Sequence, residues 1–126
     1  MSEQHGTVLW NELATRDVAA AKAYYADVCG WSYEEVPMDD GTYVVAKLGE
    51  RMIAGIFDMG VSDEMRDLPP HWMTYLAVDD VDAAAEQTRT SGGEVLRAPW
   101  DVPRVGRIAM VRDPSGGVVA LMTPSD

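Results

Sequence analysis

Residues 15–22 read TRDVAAAK and residues 78–85 read VDDVDAAA, and a shift of 63 positions lays one on the other. Asp17 then falls on Asp80, Val18 on Val81, Leu13 on Leu76 and Gly30 on Gly93. An aspartate just ahead of an apolar-periodic run caps a helix, and a glycine just after it stops one. A single shift thus aligns a strand, a helix start and a helix end. That is how a duplicated unit reads.

The elements on either side follow the same order twice. TVLWNELA (7–14) is short and β-rich. After Asp17, the residues Val18, Ala21, Tyr25 and Val28 fall at helical spacing as far as Gly30. WSYEEVP (31–37), TYVVAKLG (42–49) and RMIAGIFD (51–58) read as strands, the first two joined through the MDDG turn signal. MGVSDEMRDLPP (59–70) is polar, aperiodic and closed by two prolines, and reads as a connecting loop. Then come a strand, HWMTYLAV (71–78), and a helix, DVDAAAEQTRTSGG (80–93). EVLRAPWDV (94–102), GRIAMVRD (106–113) and GVVALMTP (117–124) follow as three more strands. The expected fold is α+β, with paired βαβββ modules at 6–58 and 71–124 joined by linker 59–70 in one domain of residues 1–126. The long period and the full strand order argue for one duplicated fold rather than a solenoid.

Composition narrows the function. Ten basic against twenty-one acidic residues leave a net charge of −11. That field repels phosphate backbones and excludes nucleic acid as the expected partner, while mildly favouring cationic ligands. No apolar run approaches the ~18 residues of a membrane span, so no membrane partner is expected. The opening MSEQHGTVLW lacks the basic-then-apolar pattern of a signal peptide. Cys29 is the only cysteine, which rules out an internal disulfide and a cysteine-rich metal site. Its place near a helix end predicts a buried or semi-buried, unreactive thiol. A cytoplasmic protein is the expectation. There is no G-x-S-x-G elbow, P-loop or dinucleotide fingerprint.

The helix starts TRDVAAAKAYYADVCGW and VDDVDAAAEQTRTSGG, set in paired βαβββ modules, resemble the vicinal oxygen chelate superfamily. That group holds glyoxalase I, the extradiol dioxygenases and the bleomycin-resistance proteins. RDPSGGVVALM (112–122) is similar to the family's D-P-x-G turn before its last strand. The resemblance runs from about Gly6 to Pro124. WNELATRD, AGIF, HWMTYLAVDDVD and PWDVPRVGRIA are most similar to a bacterial subgroup related to a mycobacterial surface antigen.

The resemblance implies two half-barrels around a cleft and, in metal-dependent members, one divalent ion held by four side chains. Those positions carry over one at a time. Seven residues before the capping Asp17 and Asp80 stand Trp10 and Met73, seven past Asp113 stands Ala120, and matching AGIF to VALM gives Gly55. None of these four suits a hard or borderline divalent ion. No metal and no cofactor are therefore expected.

His71 shares a strand face with Met73 and Tyr75. It reads either as a hydrogen-bonded strand-end residue or as a ligand contact or proton carrier. His5 falls in a terminus expected to fray. Alternation assigns Trp10, Glu12, Phe57, Met73, Tyr75 and Met122 to the cleft wall, with Gly55 and Ala120 leaving space. A Met-rich aromatic wall suits a small organic ligand, and filling of the half-barrels by these same side chains is the alternative. Glu12 would be the polar anchor, its charged form disfavoured by an apolar wall, unless it pairs with Arg104 or Arg107. Trp100, Asp101 and Arg104 form either a lid or a kinked strand with a turn.

The expected function is a metal-free, glyoxalase- and bleomycin-resistance-like protein that binds a small organic molecule, as a homodimer. The alternative is a glyoxalase- or dioxygenase-like lyase, isomerase or oxidoreductase using Glu12, Tyr75 and His71 as catalytic candidates.

Overall fold

The computed structural model describes residues 2–38, 41–61 and 66–125. The chain is α+β, with eight strands and two helices among the described residues. In order these are β1 (Val8–Thr15), α1 (Val18–Cys29), β2 (Ser32–Met38), β3 (Gly41–Leu48), β4 (Arg51–Asp58), β5 (His71–Ala77), α2 (Val81–Thr90), β6 (Glu94–Val102), β7 (Gly106–Arg112) and β8 (Val118–Pro124). All eight expected strands and both helices form.

The contacts gather into two compact units. One is Trp10–Trp72, and the other is Met1–Leu9 with Met73–Asp126. In the first, the strands run β2-β3-β4-β1, antiparallel except that β1 lies parallel to β4. In the second, the order is β5-β8-β7-β6, with β5 parallel to β8. The two orders are the same, as a duplicated βαβββ module requires.

Each helix lies on one face of its own strands. In the first unit Val18, Ala21 and Tyr25 of α1 pack on Leu13, Val44, Ile56 and Tyr33. Val28, the fourth residue of the expected apolar stripe, is 62% exposed instead. The last turn of α1 stands in solvent, so Cys29 is exposed rather than buried. In the second unit Val81 and Ala84 sit on Ala109, Val111, Val119 and Leu121.

Both helix starts form as their aspartates dictate. Asp17 accepts the Ala20 N–H at 2.9 Å and Asp80 the Ala83 N–H at 3.1 Å. The helix ends differ. Gly30 closes α1 in the left-handed conformation, φ 74°. α2 stops two residues earlier relative to the repeat, at Thr90, and Gly92 rather than Gly93 takes the positive φ, +93°.

The stretch 59–70 is not uniformly a polar loop. It opens with a 3-10 turn, Met59–Val61, that buries Met59 completely. Further on, the Arg16 guanidinium donates to the carbonyls of Arg66 and Leu68 at 2.7 and 2.9 Å. Residues 62–65 of the expected linker lie outside the described residues. No helix of the described residues is long and apolar enough to cross a membrane.

Candidate functional site

In the first unit, alternation along β1 turns Leu13 toward α1 and sets Trp10, Glu12 and Ala14 on the opposite face. Register fixes their neighbours. Glu12 stands beside Gly55 and Ala14 beside Phe57 on β4, and Gly55 stands beside Val45 on β3. Tyr43, two residues before Val45, projects on this same face.

Gly55 is the residue that makes the arrangement possible. A Cβ there would lie 1.5 Å from the Tyr43 hydroxyl oxygen and 3.0 Å from Trp10 Nε1. The Tyr43 ring end thus occupies the space a side chain at 55 would need. Trp10 Nε1 donates to Tyr43 Oη at 2.9 Å, and Tyr43 Oη donates to Glu12 Oε2 at 2.8 Å. The direction of this chain is fixed. An indole N–H can only donate, so the phenol oxygen accepts from Trp10 and its proton goes to the carboxylate. A bond to a charged acceptor is the stronger kind. Trp10, Glu12, Tyr43 and Phe57 are all half-buried, so each keeps part of its surface exposed.

Tyr43 is absent from the wall expected from the sequence. The signal that finds it is the glycine: in a strand interior, a residue without a side chain marks a close approach by a neighbour.

On the second unit, Met73, Ile108, Ala120 and Met122 form one buried cluster, with Tyr75, Trp100, Val102, Met110 and Leu9 packed against it. Tyr75 pairs with Ala120, and Ala120 with Met110. Met73 and Met122 are only 6% and 8% exposed, so their first role is packing. The open volume expected at Gly55 and Ala120 is filled, by Tyr43 at one and by methionine and isoleucine side chains at the other. Tyr75 remains half-buried.

The lid reading of residues 100–104 gives way to the kinked strand. Trp100 and Asp101 lie on β6, paired with Ile108 and Arg107 across two register irregularities. Arg104 turns the chain at φ 67°. The Arg97 guanidinium lies 3.6 Å over the Trp100 ring, a cation–π stack. Arg107, a suggested partner for Glu12, engages Asp82 at 2.8 Å and Asp101 at 3.2 Å. Those bonds, Asp82's first, hold its guanidinium in the charged form.

His71 Nδ1 lies 2.8 Å from the Pro69 carbonyl. A carbonyl only accepts, so Nδ1 carries the proton there, which leaves Nε2 as the ring's lone-pair nitrogen. His5 does not fray. Its Nδ1 accepts the Asp79 N–H at 3.0 Å, while Asp79 accepts from the Ser2 N–H and the Gly6 N–H donates to the Ala77 carbonyl.

The donor set does not fit a divalent ion. Trp10 and Gly55 offer no lone pair to a metal, Ala120 has only a methyl group, and Met73 is a buried thioether. The position at 55 is moreover closed by a phenol committed to two hydrogen bonds. Among the described residues no group of three or more His, Cys, Asp or Glu side chains converges as a metal site.

The D-P-x-G stretch has a structural role. Asp113 takes hydrogen bonds from the Ser115 hydroxyl and the Ser115 and Gly117 N–H groups. The Ser115 hydroxyl first, and then these amides, hold its carboxyl below the usual carboxylate range.

Comparison with known proteins agrees with this architecture. A protein called "Putative glyoxylase CFP32", from Mycobacterium tuberculosis and M. bovis, is 38% identical over 122 residues, 94% of this chain and 46% of the relative. The anthracycline biosynthesis protein DnrV of Streptomyces peucetius is 30% identical over 128 residues, 92% of this chain and 46% of the relative. The chain therefore spans about half the length of these curated relatives. Among solved structures, methylmalonyl-CoA epimerase of M. tuberculosis matches all of this chain and 93% of its own, with TM-score 0.64 and 18% identity. The Streptomyces coelicolor methylmalonyl-CoA epimerase in complex with 2-nitronate-propionyl-CoA covers 98% of this chain and all of its own, with TM-score 0.66 and 18% identity. At such identities the likeness is one of fold. The model of the Glyoxalase/Bleomycin resistance protein/Dioxygenase superfamily matches residues 7–121, and the chain belongs to that superfamily.

Proposed function

We propose that this chain is a metal-independent member of its family that binds a small, planar, neutral or cationic organic molecule. The observation that carries the reading is the Trp10–Tyr43–Glu12 hydrogen-bond chain over Gly55. It puts an aromatic surface and an acidic acceptor side by side where metal-using relatives would need ligands. Trp10 and Phe57 supply stacking area, and Glu12 anchors a donor or a positive group. In the second unit, taken by itself, Tyr75 packs on the buried Met73 and Met122 and is proposed as a ligand-contact surface of that unit.

Charge selects among ligands. The structural neighbours named for methylmalonyl-CoA act on a polyanionic thioester, whereas this chain carries −11. A CoA tail would meet repulsion here, while a cationic or uncharged aromatic would not. A relative named for anthracycline biosynthesis points toward planar aromatic ligands. In the enzymatic alternative through Glu12, Tyr75 and His71, the Pro69 carbonyl fixes the proton on His71 Nδ1 and leaves Nε2 as the ring's acceptor. A homodimer in the cytoplasm, where the exposed Cys29 stays reduced, completes the proposal.

The test is a thermal-shift screen in EDTA with planar aromatics in neutral, cationic and carboxylated forms. Binding to the native state raises the melting temperature. The neutral or cationic compounds are expected to do so. Stabilisation by the carboxylated set alone, or only after a divalent metal is added, would refute the reading.

A further inference from the structure

In the second unit β6 breaks its register with β7 twice, on either side of Arg97. Val95 stands opposite Val111, and both pack with Val81 of α2. Two residues on, uninterrupted alternation would return Arg97 to that same face. The first irregularity sets Arg97 opposite Met110 instead, and Met110 packs on the other face with Met73, Ile108 and Met122. Arg97 and Trp100 are three apart, so a regular strand would point them to opposite faces. The second irregularity brings Trp100 opposite Ile108, and both side chains share the face away from α2. Their stack, with Arg97 Cζ 3.6 Å from the ring centre, requires that placement. Bulges beside functional sites re-aim side chains in this way.

A half-buried cation is thereby set into an apolar surface. Met110 pairs with Ala120 and Ala120 with Tyr75, so Arg97, Met110, Ala120 and Tyr75 form one row across four strands. Three strand spacings put the outer two backbones about 14 Å apart, a span that two long side chains and one small molecule can bridge. The first unit has the matching row, Glu34, Val45, Gly55 and Glu12. The shift of 63 lays Glu34 on Arg97 and Glu12 on Tyr75. Where one unit offers two carboxylates, which when ionised only accept, the other offers a guanidinium and a phenol, which donate.

We infer that the Arg97–Tyr75 row of the second unit binds a carboxylate-bearing organic molecule, and that Arg97 is the residue that reads the carboxylate. A guanidinium whose carbon lies 3.6 Å over an indole is stacked parallel to it. Its five donors then lie in one fixed plane, in a fork that matches two carboxylate oxygens. The stack sets that plane before a ligand arrives, which lowers the ordering cost of binding. Tyr75 supplies a further donor, and Trp100 and Met110 supply apolar contact.

The net charge of −11 does not overrule this choice. At physiological salt, exposed charges more than about 8 Å away are largely screened, whereas Arg97 acts at contact. One carboxylate also brings a single charge, unlike a polyanionic tail. The inference rests on the ligand-contact surface proposed for Tyr75 and names the group read there.

The test is an NMR titration of the parent chain with naphthoate and with its neutral isostere naphthamide. It is followed at the indole N–H signals of Trp10 and Trp100, one in each unit. The Trp100 signal is expected to shift saturably with naphthoate, at a dissociation constant at least about fivefold below that for naphthamide. Arg97→Gln is expected to bring the two constants within about twofold of each other, with the parent's circular dichroism retained. Should that variant fail to fold, Arg97→Lys, which keeps the charge and loses the fork, is expected to retain only part of the preference. Equal constants for the two probes in the parent, or a preference that these variants leave intact, overturn the carboxylate reading alone. A Trp10 signal that shifts with naphthamide while Trp100 answers neither probe overturns the inference and leaves the first unit's surface standing. Silence of both signals toward both probes overturns the inference and the proposed ligand surfaces together.

Discussion

Gly55→Ala is the smallest change that challenges the account of the site. The added Cβ would lie 1.5 Å from the Tyr43 hydroxyl oxygen, so that oxygen must retreat by roughly 2 Å to reach ordinary contact. The Trp10 and Glu12 bonds, at 2.9 and 2.8 Å, do not survive such a shift. A neutral hydrogen bond contributes about 0.5–1.5 kcal/mol net and one to a charged group about 1.5–3, so the loss is on the order of 2–4 kcal/mol. For a chain of this size that lowers the melting temperature by roughly 10 °C. Backbone strain adds nothing, since Gly55 has no positive φ. Urea denaturation of the single and double variants separates this mechanism from generic overpacking. In a Tyr43→Ala background, the same Gly55→Ala change should cost less than about 1 kcal/mol, because the obstructing ring is gone. A Gly55→Ala protein within about 0.5 kcal/mol of the parent, or one equally destabilised in both backgrounds, would refute the reasoning.

Other outcomes follow from the same structure. Purified protein should hold no stoichiometric Zn, Ni, Fe or Mn by elemental analysis, and about one ion per chain, lost on mutating Trp10 or Met73, would contradict the donor argument. Asp80→Ala removes the α2 cap and should cost about 1 kcal/mol in urea denaturation, with a loss below about 0.3 counting against the cap. Asp113→Ala probes pH. The Asp113 carboxyl sits below its ordinary value in the folded chain, so its contribution is complete above the unfolded value of about 3.9 and drains away as pH falls through the lower folded one. The stability gap between parent and Asp113→Ala should therefore hold from pH 7 to about 4 and close below, and a gap that widens in acid would have the wrong sign.

Much of the fold was legible because duplication and alternation are strong, local signals. The aspartates at 17 and 80 cap helices wherever the chain goes, and strand alternation correctly put Trp10 and Glu12 on the face away from α1. What escaped depends on neighbours in space. Val28 has helical spacing, but nothing lies above it to bury it. Tyr43 sits in a strand whose pattern gives no hint that its ring crosses β4; only the register Val45↔Gly55 brings it over the glycine. His5 looked like a loose end because its partner, the Asp79 amide, is 74 residues away. Gly55 and Ala120 read as open space, since a sequence shows the missing side chain and not the one that fills it.

The most direct test of the central claim is the dissociation constant of the strongest planar ligand from the screen, measured by calorimetry in EDTA for the parent and for Trp10→Ala. Metal-independent binding on the Trp10–Tyr43–Glu12 face predicts an affinity untouched by EDTA and weakened about 30-fold by the substitution, equivalent to roughly 2 kcal/mol for an aromatic anchor. An affinity abolished by EDTA, or one that Trp10→Ala leaves unchanged, would contradict it.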